Sequence, residues 1–400
     1  MLPAFSTTTH TETAKRLARE VNTFVDAEII PNELLLAQQG EQSLRLQSGL
    51  AHKARQAGLC GLFYPLSHGG KIASLEDYLL VAEQEGRTEF SQAIFASHTA
   101  LDAHMLLKFG NEAIHEQFLQ PLVSGDALPC YGMTEPGHSG SIPSLITTTA
   151  YLSNGHWHID GRKWFISNAN RATFMTVLAR TAGKETALNQ ALSMIIVPTG
   201  TPGFKIERQL TMMGHSCGQG EVSLTAVQVP EHYLIGTCGG GLDLMNKRLG
   251  LGRLLRAMNW IGLAQRCMDL MGARIHSSRG KFSRLAEKQL VRQHIFNTYQ
   301  AIAGARELIR IAARGVDAQN PDEIAINVAK MAASHALCIA SDCAMQLYGA
   351  EGLSDLTPLY GINRIARTSR ILDGNDESLI SSVGRRLISH YQHHAVYSFD

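Results

Sequence analysis

The sequence predicts a mainly α protein with a central β-rich insert. Apolar residues recur at helical spacing over residues 1–128 and again over 238–400. Between them, over 129–237, short alternating or β-branched runs are cut by Gly, Pro and Asn. Three units follow: an N-terminal helical domain, a β domain read as a barrel or a sandwich, and a C-terminal bundle of four long helices.

In the first unit, Leu17, Val21, Phe24, Val25 and Ile29 line one helix face, and Pro31 ends that helix. A second helix is expected near Ser43 to Ala57, stopped at Gly58. Ser74 is an N-cap with Glu76 and Asp77 in the first turn of the next. Ser91 to Phe109 and Asn111 to Val123 complete the set. In the second unit, Asn154-Gly155 and Asp160-Gly161 are hairpin signals between β runs such as Met175 to Ala179, Met194 to Val197 and Val222 to Val229. In the third, helices are expected over Leu242 to Ser278, Lys288 to Gln319, Asp322 to Tyr348 and Asp376 to Tyr391.

Composition narrows the function classes. Of 400 residues, 44% are hydrophobic and 18% charged, which suits a globular protein with a substantial core. A net charge of +1 gives no reason to expect nucleic acid or an anionic membrane as partner. No uncharged apolar run reaches the length of a membrane span, and residues 1–10 are polar, so a cytoplasmic protein is expected. The seven cysteines form no Cys-x-x-Cys pair, and no His-x-x-x-His pair has a nearby acid, so no metal site is expected.

The chemistry concentrates in two stretches. The first runs Tyr131-Gly132-Met133-Thr134-Glu135-Pro136-Gly137, continues through Gly140-Ser141, and is followed by Trp164-Phe165-Ile166-Ser167-Asn168. The second opens with Gln346 to Gly352 and ends at Leu372-Asp373-Gly374-Asn375-Asp376-Glu377 after an arginine-rich run. Taken locally, Asp373 reads equally as an N-cap for the final helix and as a carboxylate held for chemistry.

Together, in this order, these segments resemble the acyl-CoA dehydrogenase superfamily, and the resemblance covers nearly the whole chain. It implies a central β-barrel between two helical domains, with FAD between the barrel and the bundle and partly bound by a neighbouring subunit. Tyr131, Met133 and Thr134 match the turn on the pyrimidine side of the flavin, Phe165 the aromatic that packs on the ring, and Ser167 the hydroxyl at N5. Donors there favour the charge that builds on reduced flavin. Arg279 and Phe282 resemble the family's Arg-x-x-Phe segment, whose arginine reaches the FAD pyrophosphate of a partner subunit. Gln346 and Gly349 match the adenine-side contact, and Asn375 follows the base within the cofactor-binding segment.

The resemblance also implies α,β-dehydrogenation of an acyl thioester, by proton abstraction at Cα and hydride transfer from Cβ to flavin N5. Asp373 matches the base, which is Glu in most of the family, so its reach is about 1.3–1.5 Å shorter. Residues 245–262 hold no Asp or Glu, which removes the first bundle helix as a source of the base. Asp-Gly-x-Asp-Glu resembles one branch that carries Asp at this position. Arg253 matches an arginine near the base, and Ser141 and Gly374 complete the expected substrate contacts. Ile142 replaces the usual acid after Gly-Ser, which leaves open free CoA or a carrier-protein thioester as substrate. The expected partners are an electron-transferring flavoprotein and further copies of the chain, as a homodimer or homotetramer. The competing reading is a flavin oxidase of the same fold, acting on a nitroalkane or a carrier-bound acyl group.

Overall fold

The computed structural model describes residues 10–38 and 40–393. The longer N-terminal α-helices are α1 (Glu12–Phe24), α2 (Glu41–Gln56), α3 (Leu75–Glu85) and α4 (Ala100–Phe109), and the helix expected from Asn111 forms as an unbroken run of Glu112–Ile114, a π-helical His115–Leu119 and Gln120–Ser124. α1 buries Ala14, Leu17, Ala18 and Val21, the stripe that its periodicity predicts. The helix expected from Ser91 is interrupted. Ala96 adopts a left-handed conformation (φ 55°), and only a short turn, Ser91–Ile94, precedes it. His98 Nδ1 lies 2.9 Å from the Gln92 carbonyl oxygen across the break. Helical periodicity does not register a single left-handed residue.

The β region forms one eight-stranded sheet: β1 (Pro129–Gly132), β2 (Thr149–Ser153), β3 (His156–Ser167), β4 (Phe174–Arg180), β5 (Leu192–Pro198), β6 (Phe204–Met212), β7 (His215–Pro230) and β8 (Leu234–Ile235). Its order is β6-β7-β3-β2-β4-β5-β8, with β1 parallel to β4. β4 and β5 carry continuous apolar runs because both their faces are covered. Met175, Val177, Ile195 and Val197 face the β core, whereas Phe174, Leu178, Met194 and Ile196 join the helical core. Asn154 (φ 50°) and Gly155 (φ 72°) make the predicted β2–β3 hairpin. Asp160-Gly161 does not turn the chain. It forms a bulge within β3, where Asp160 Oδ1 accepts the Ala226 N–H at 2.8 Å.

The C-terminal helices are α5 (Gly241–His276), α6 (Gln289–Asp317), α7 (Glu323–Tyr348), α8 (Leu359–Ser369) and α9 (Asp376–His393). α8 overlaps the arginine-rich run, and it and a short helix, Ser278–Phe282, add to the four long helices expected. Residues 323–353 are long and apolar enough to cross a membrane by composition, but 56% of their most apolar 18-residue stretch is buried inside the structure, as befits a core helix.

Two polar devices join these parts. At the first, the Asp317 carboxylate at the end of α6 accepts the Leu75 N–H (2.7 Å), the Glu76 N–H (2.9 Å) and the Ser74 hydroxyl (2.8 Å). A charge from the bundle thereby satisfies the exposed donors at the start of α3. The second lies in the sheet. Lys163 on β3 is fully buried and donates to Glu135 Oε1 (2.8 Å), the Met133 carbonyl (3.0 Å) and the Leu178 carbonyl (2.7 Å). Glu135 also accepts the Thr147 N–H (2.7 Å) and hydroxyl (2.6 Å) and the Thr148 N–H (2.9 Å). Burial pushes the Glu135 carboxyl up, but the Lys163 ammonium and the threonine donors outweigh it and hold it at about 2. This pair fixes the turn after β1 against β3.

Asp317→Ala should destabilise the protein by about 1–2 kcal/mol in a denaturant titration, the range for a lost helix cap. Glu135→Gln should cost about 3–5 kcal/mol, because it strands a buried ammonium. The folded Glu135 value, about 2, lies below the ordinary 4.5, so its contribution is complete above pH 4.5 and is lost as pH falls towards 2. Stability measured across that window should therefore fall more steeply for the wild type than for Glu135→Gln.

Candidate active site

Three groups of the expected site residues emerge. The first is built by the clamped turn. Trp164 N–H donates to the Thr134 carbonyl at 3.0 Å, and β3 bulges between Lys163 and Ile166. The bulge leaves Phe165 in a left-handed conformation (φ 51°), and the residue is 45% exposed. A bulky residue there is strained, and the strain turns an aromatic ring outward from a strand. Ser167 is exposed beside it, and its hydroxyl accepts from Gln219 Nε2 at 2.8 Å. Tyr131, on β1, is covered by the Arg248 guanidinium at 4.2 Å from the ring centroid. Arg248 is itself held by both Asp102 oxygens, at 2.9 and 3.0 Å. The Tyr131 hydroxyl and the Trp164 indole nitrogen are buried without a hydrogen-bond partner among the described residues. Buried polar atoms are seldom left unpaired without a ligand or water to take them up.

Met133 and Thr134 line a small recess with Glu135, His138, Ile142, Leu145 and Ile146. Ser141 lies outside that lining, exposed, with its hydroxyl 2.8 Å from that of Ser139.

The second group surrounds Asp373, which is left-handed (φ 56°) and followed by Gly374 (φ 101°). Asp373 does not cap the last helix. Asn375 does, accepting the Ser378 N–H at 2.8 Å, so its side-chain oxygen serves the helix. A side chain at Gly374 would meet Leu379 at 3.1 Å and Arg253 at 3.4 Å, in a backbone conformation that already favours glycine.

Two cations hold the consecutive carbonyl oxygens of this turn. Arg253 Nε donates to the Asp373 carbonyl at 2.9 Å and Lys330 Nζ to the Gly374 carbonyl at 2.7 Å. Arg253 also reaches Asn327 Oδ1 at 3.0 Å, so it supports the loop backbone rather than the Asp373 carboxylate. Lys330 is fully buried, and burial pushes its ammonium down, against the pull of Asp376. Asp376 takes Arg370 Nε (2.8 Å), His335 Nε2 (3.2 Å) and Lys330 (3.4 Å). With its backbone held, Asp373 presents a carboxylate that is 29% exposed, and Arg256 Nε lies 3.5 Å from its Oδ2.

Arg248 and Arg253 lie on the same helix, α5, so the first two groups meet along its first half. The third group lies at the other end of α5. There Arg279 and Arg274 both contact the Glu351 carboxylate, Arg274 at 3.0 Å, close to Gln346 and Gly349 in sequence. Arg279 is 64% exposed, Phe282 is 89% exposed, and a side chain at Gly349 would begin in open space among the described residues. Arg274 follows Arg253 by 21 residues of one helix, about 30 Å. One chain therefore does not bring this group to Asp373.

Sequence reasoning missed Lys330, Asp376, Lys163 and Arg256. A lysine within an apolar helix and one within a strand were the available signals for the first and third. Arg256, one turn from Arg253, carried a positional signal only.

Comparison with known proteins identifies the family of the chain. Family models for the acyl-CoA dehydrogenase N-terminal, middle and C-terminal domains match residues 11–126, 130–227 and 239–388. The chain is 34% identical over 350 residues to the Mycobacterium tuberculosis protein named "Probable acyl-CoA dehydrogenase FadE2", covering 85% of each. It is 32% identical over 346 residues to mouse acyl-CoA dehydrogenase family member 11, covering 84% of this chain but only 44% of that protein. The fold superimposes on butyryl-CoA dehydrogenase from Megasphaera elsdenii with a TM-score of 0.85 at 25% identity, covering 96% of this chain and 100% of the other. The chain belongs to the acyl-CoA dehydrogenase family.

Proposed function

We propose that the protein is an FAD-dependent acyl-CoA dehydrogenase that forms a 2,3-enoyl thioester, with Asp373 as the base that takes the Cα proton. The observation that carries this reading is the turn at Asp373. A carboxylate stands on two consecutive left-handed residues, each with its carbonyl held by a cation from the bundle. Such backbone positions persist only where the surroundings over-determine them, and they cluster at functional sites. A base must be held within hydrogen-bond reach of the proton it removes, and a rigid turn provides that.

The residues present fit FAD. The outward ring of Phe165 and the hydroxyl of Ser167 offer a flat contact and a polar edge, and Tyr131 and Trp164 bring buried polar atoms that lack partners. Met133 and Thr134 supply backbone and hydroxyl groups on the clamped turn. When bound, FAD supplies the acceptor for the hydride that leaves Cβ. Arg279, Phe282, Gln346 and Gly349 serve the same cofactor from a second copy of the chain, which accounts for an exposed guanidinium and an open glycine about 30 Å from Asp373. The assembly is thus a homodimer or homotetramer.

Asp373 accepts one proton, the substrate loses a hydride, and an electron-transferring flavoprotein takes up the electrons. Gly374 keeps the strip beside the base free of a side chain, and Ser141 stands on the loop beside the recess. The names of the relatives favour dehydrogenation over the oxidase reading.

Asp373→Asn keeps the shape of the turn and its carbonyl anchors while removing the proton acceptor. It should purify yellow with full FAD content, yet its flavin should be bleached by acyl-CoA at least about 10²-fold more slowly in anaerobic stopped flow. Bleaching at the wild-type rate would remove Asp373 from the role of base.

A further inference from the structure

Asp373 shares its surroundings with a cation that proton removal does not use. Arg256 lies one turn beyond Arg253 on α5, with its side chain 44% exposed and its Nε 3.5 Å from Asp373 Oδ2. It is steadied from behind. Its terminal nitrogen donates to Gln92 Oε1 at 3.2 Å, and Gln92 Nε2 donates to Asn259 Oδ1. Asn259 is 8% exposed and donates to the Ala82 carbonyl at 2.7 Å. That last bond sets which way the Asn259 amide faces, and so directs the carbonyl oxygen of Gln92 at the guanidinium.

Of the five N–H donors of a guanidinium, one is spent on Gln92, and the contact with Asp373 is too long for a good hydrogen bond. A hydrocarbon chain passing Asp373 would cover this charge without offering an acceptor, and an uncompensated ion is costly to remove from water. A carboxylate would take two donors side by side, the arrangement the planar fork suits best.

We infer that Arg256 selects acyl thioesters whose acyl chain ends in a carboxylate a few bonds beyond Cα, the short dicarboxylic acyl-CoAs. The inference rests on the reading of Asp373 as the base at Cα. Arg256 is one contact from that base, and a charge-assisted bond spans about 2.8 Å, so the acidic group must follow Cα closely. If the ion pair merely tied α5 to the Asp373 turn, its loss would affect all substrates alike.

The test compares glutaryl-CoA with pentanoyl-CoA, which matches it in chain length but ends in a methyl group. Dissociation constants are measured by calorimetry, and kcat/KM by flavin bleaching, for the FAD-loaded wild type, Arg256→Lys and Arg256→Leu. The wild type should favour glutaryl-CoA by about 10-fold or more in both measurements, as expected for a charged hydrogen-bonded pair. Arg256→Leu should reverse the preference, and Arg256→Lys should keep part of it. A wild type that prefers pentanoyl-CoA, or a ratio unchanged by Arg256→Leu, would overturn the inference. The binding ratio is read without turnover. A carboxylate preference in binding that Arg256→Leu abolishes supports the role of Arg256 even when neither thioester bleaches the flavin, and that lack of bleaching counts against the dehydrogenase reading instead.

Discussion

The arrangement of this molecule depends on how the bundle holds two adjacent carbonyl oxygens. Arg253 takes that of Asp373 and Lys330 takes that of Gly374, while Asp376 compensates the buried lysine. A buried ammonium is costly unless it is paired and hydrogen-bonded, so Lys330, Asp376 and the turn form or fail together. Three elements are committed by it: α5 through Arg253, α7 through Lys330 and Asn327, and the start of α9 through Asp376. Asp373 is thus aimed by its backbone, and its partly exposed carboxylate faces Arg256.

The sheet applies the same device from the other side. Lys163 and Glu135 pin the turn after β1 to β3, and the bulge beyond Lys163 turns Phe165 outward. Arg248, anchored by Asp102, closes over Tyr131 and carries the link to α5. Both halves of the site are therefore positioned by buried ion pairs, with hydrophobic packing supplying the mass of the core. α5 is the common ruler. Its first half joins the sheet to the Asp373 turn, and its last turns carry arginines about 30 Å away.

Much of this was legible in the residues. Periodicity predicted α5, α6, α7 and α9 to within a few residues, and short alternating or β-branched runs announced β4 and β5 as strands, though not that both their faces are covered. What was not legible depends on partners distant in sequence. Asp160-Gly161 carries a hairpin signal, but pairing with β7 makes it a bulge. Helical spacing across Ser91 to Phe109 hides the left-handed Ala96. Asp373 and Asn375 are both cap-like residues, and only the folded chain shows that Asn375 serves α9. Arg253 stood out by resemblance, yet it holds a carbonyl, and Arg256 meets the carboxylate. Lys330 and Lys163 are visible as charges in apolar runs, but their partners, Gly374 and Glu135, lie 44 and 28 residues away.

The central claim is that a carboxylate on a rigidly held turn removes a proton from Cα. Exchange of that proton tests it most directly. An acyl-CoA deuterated at Cα and unable to lose hydride from Cβ is incubated with the FAD-loaded enzyme, and deuterium loss to solvent is followed by mass spectrometry. The wild type should wash out the label, and Asp373→Asn should do so at least about 10²-fold more slowly, the scale of one general base. Equal washout by the two proteins would contradict the account.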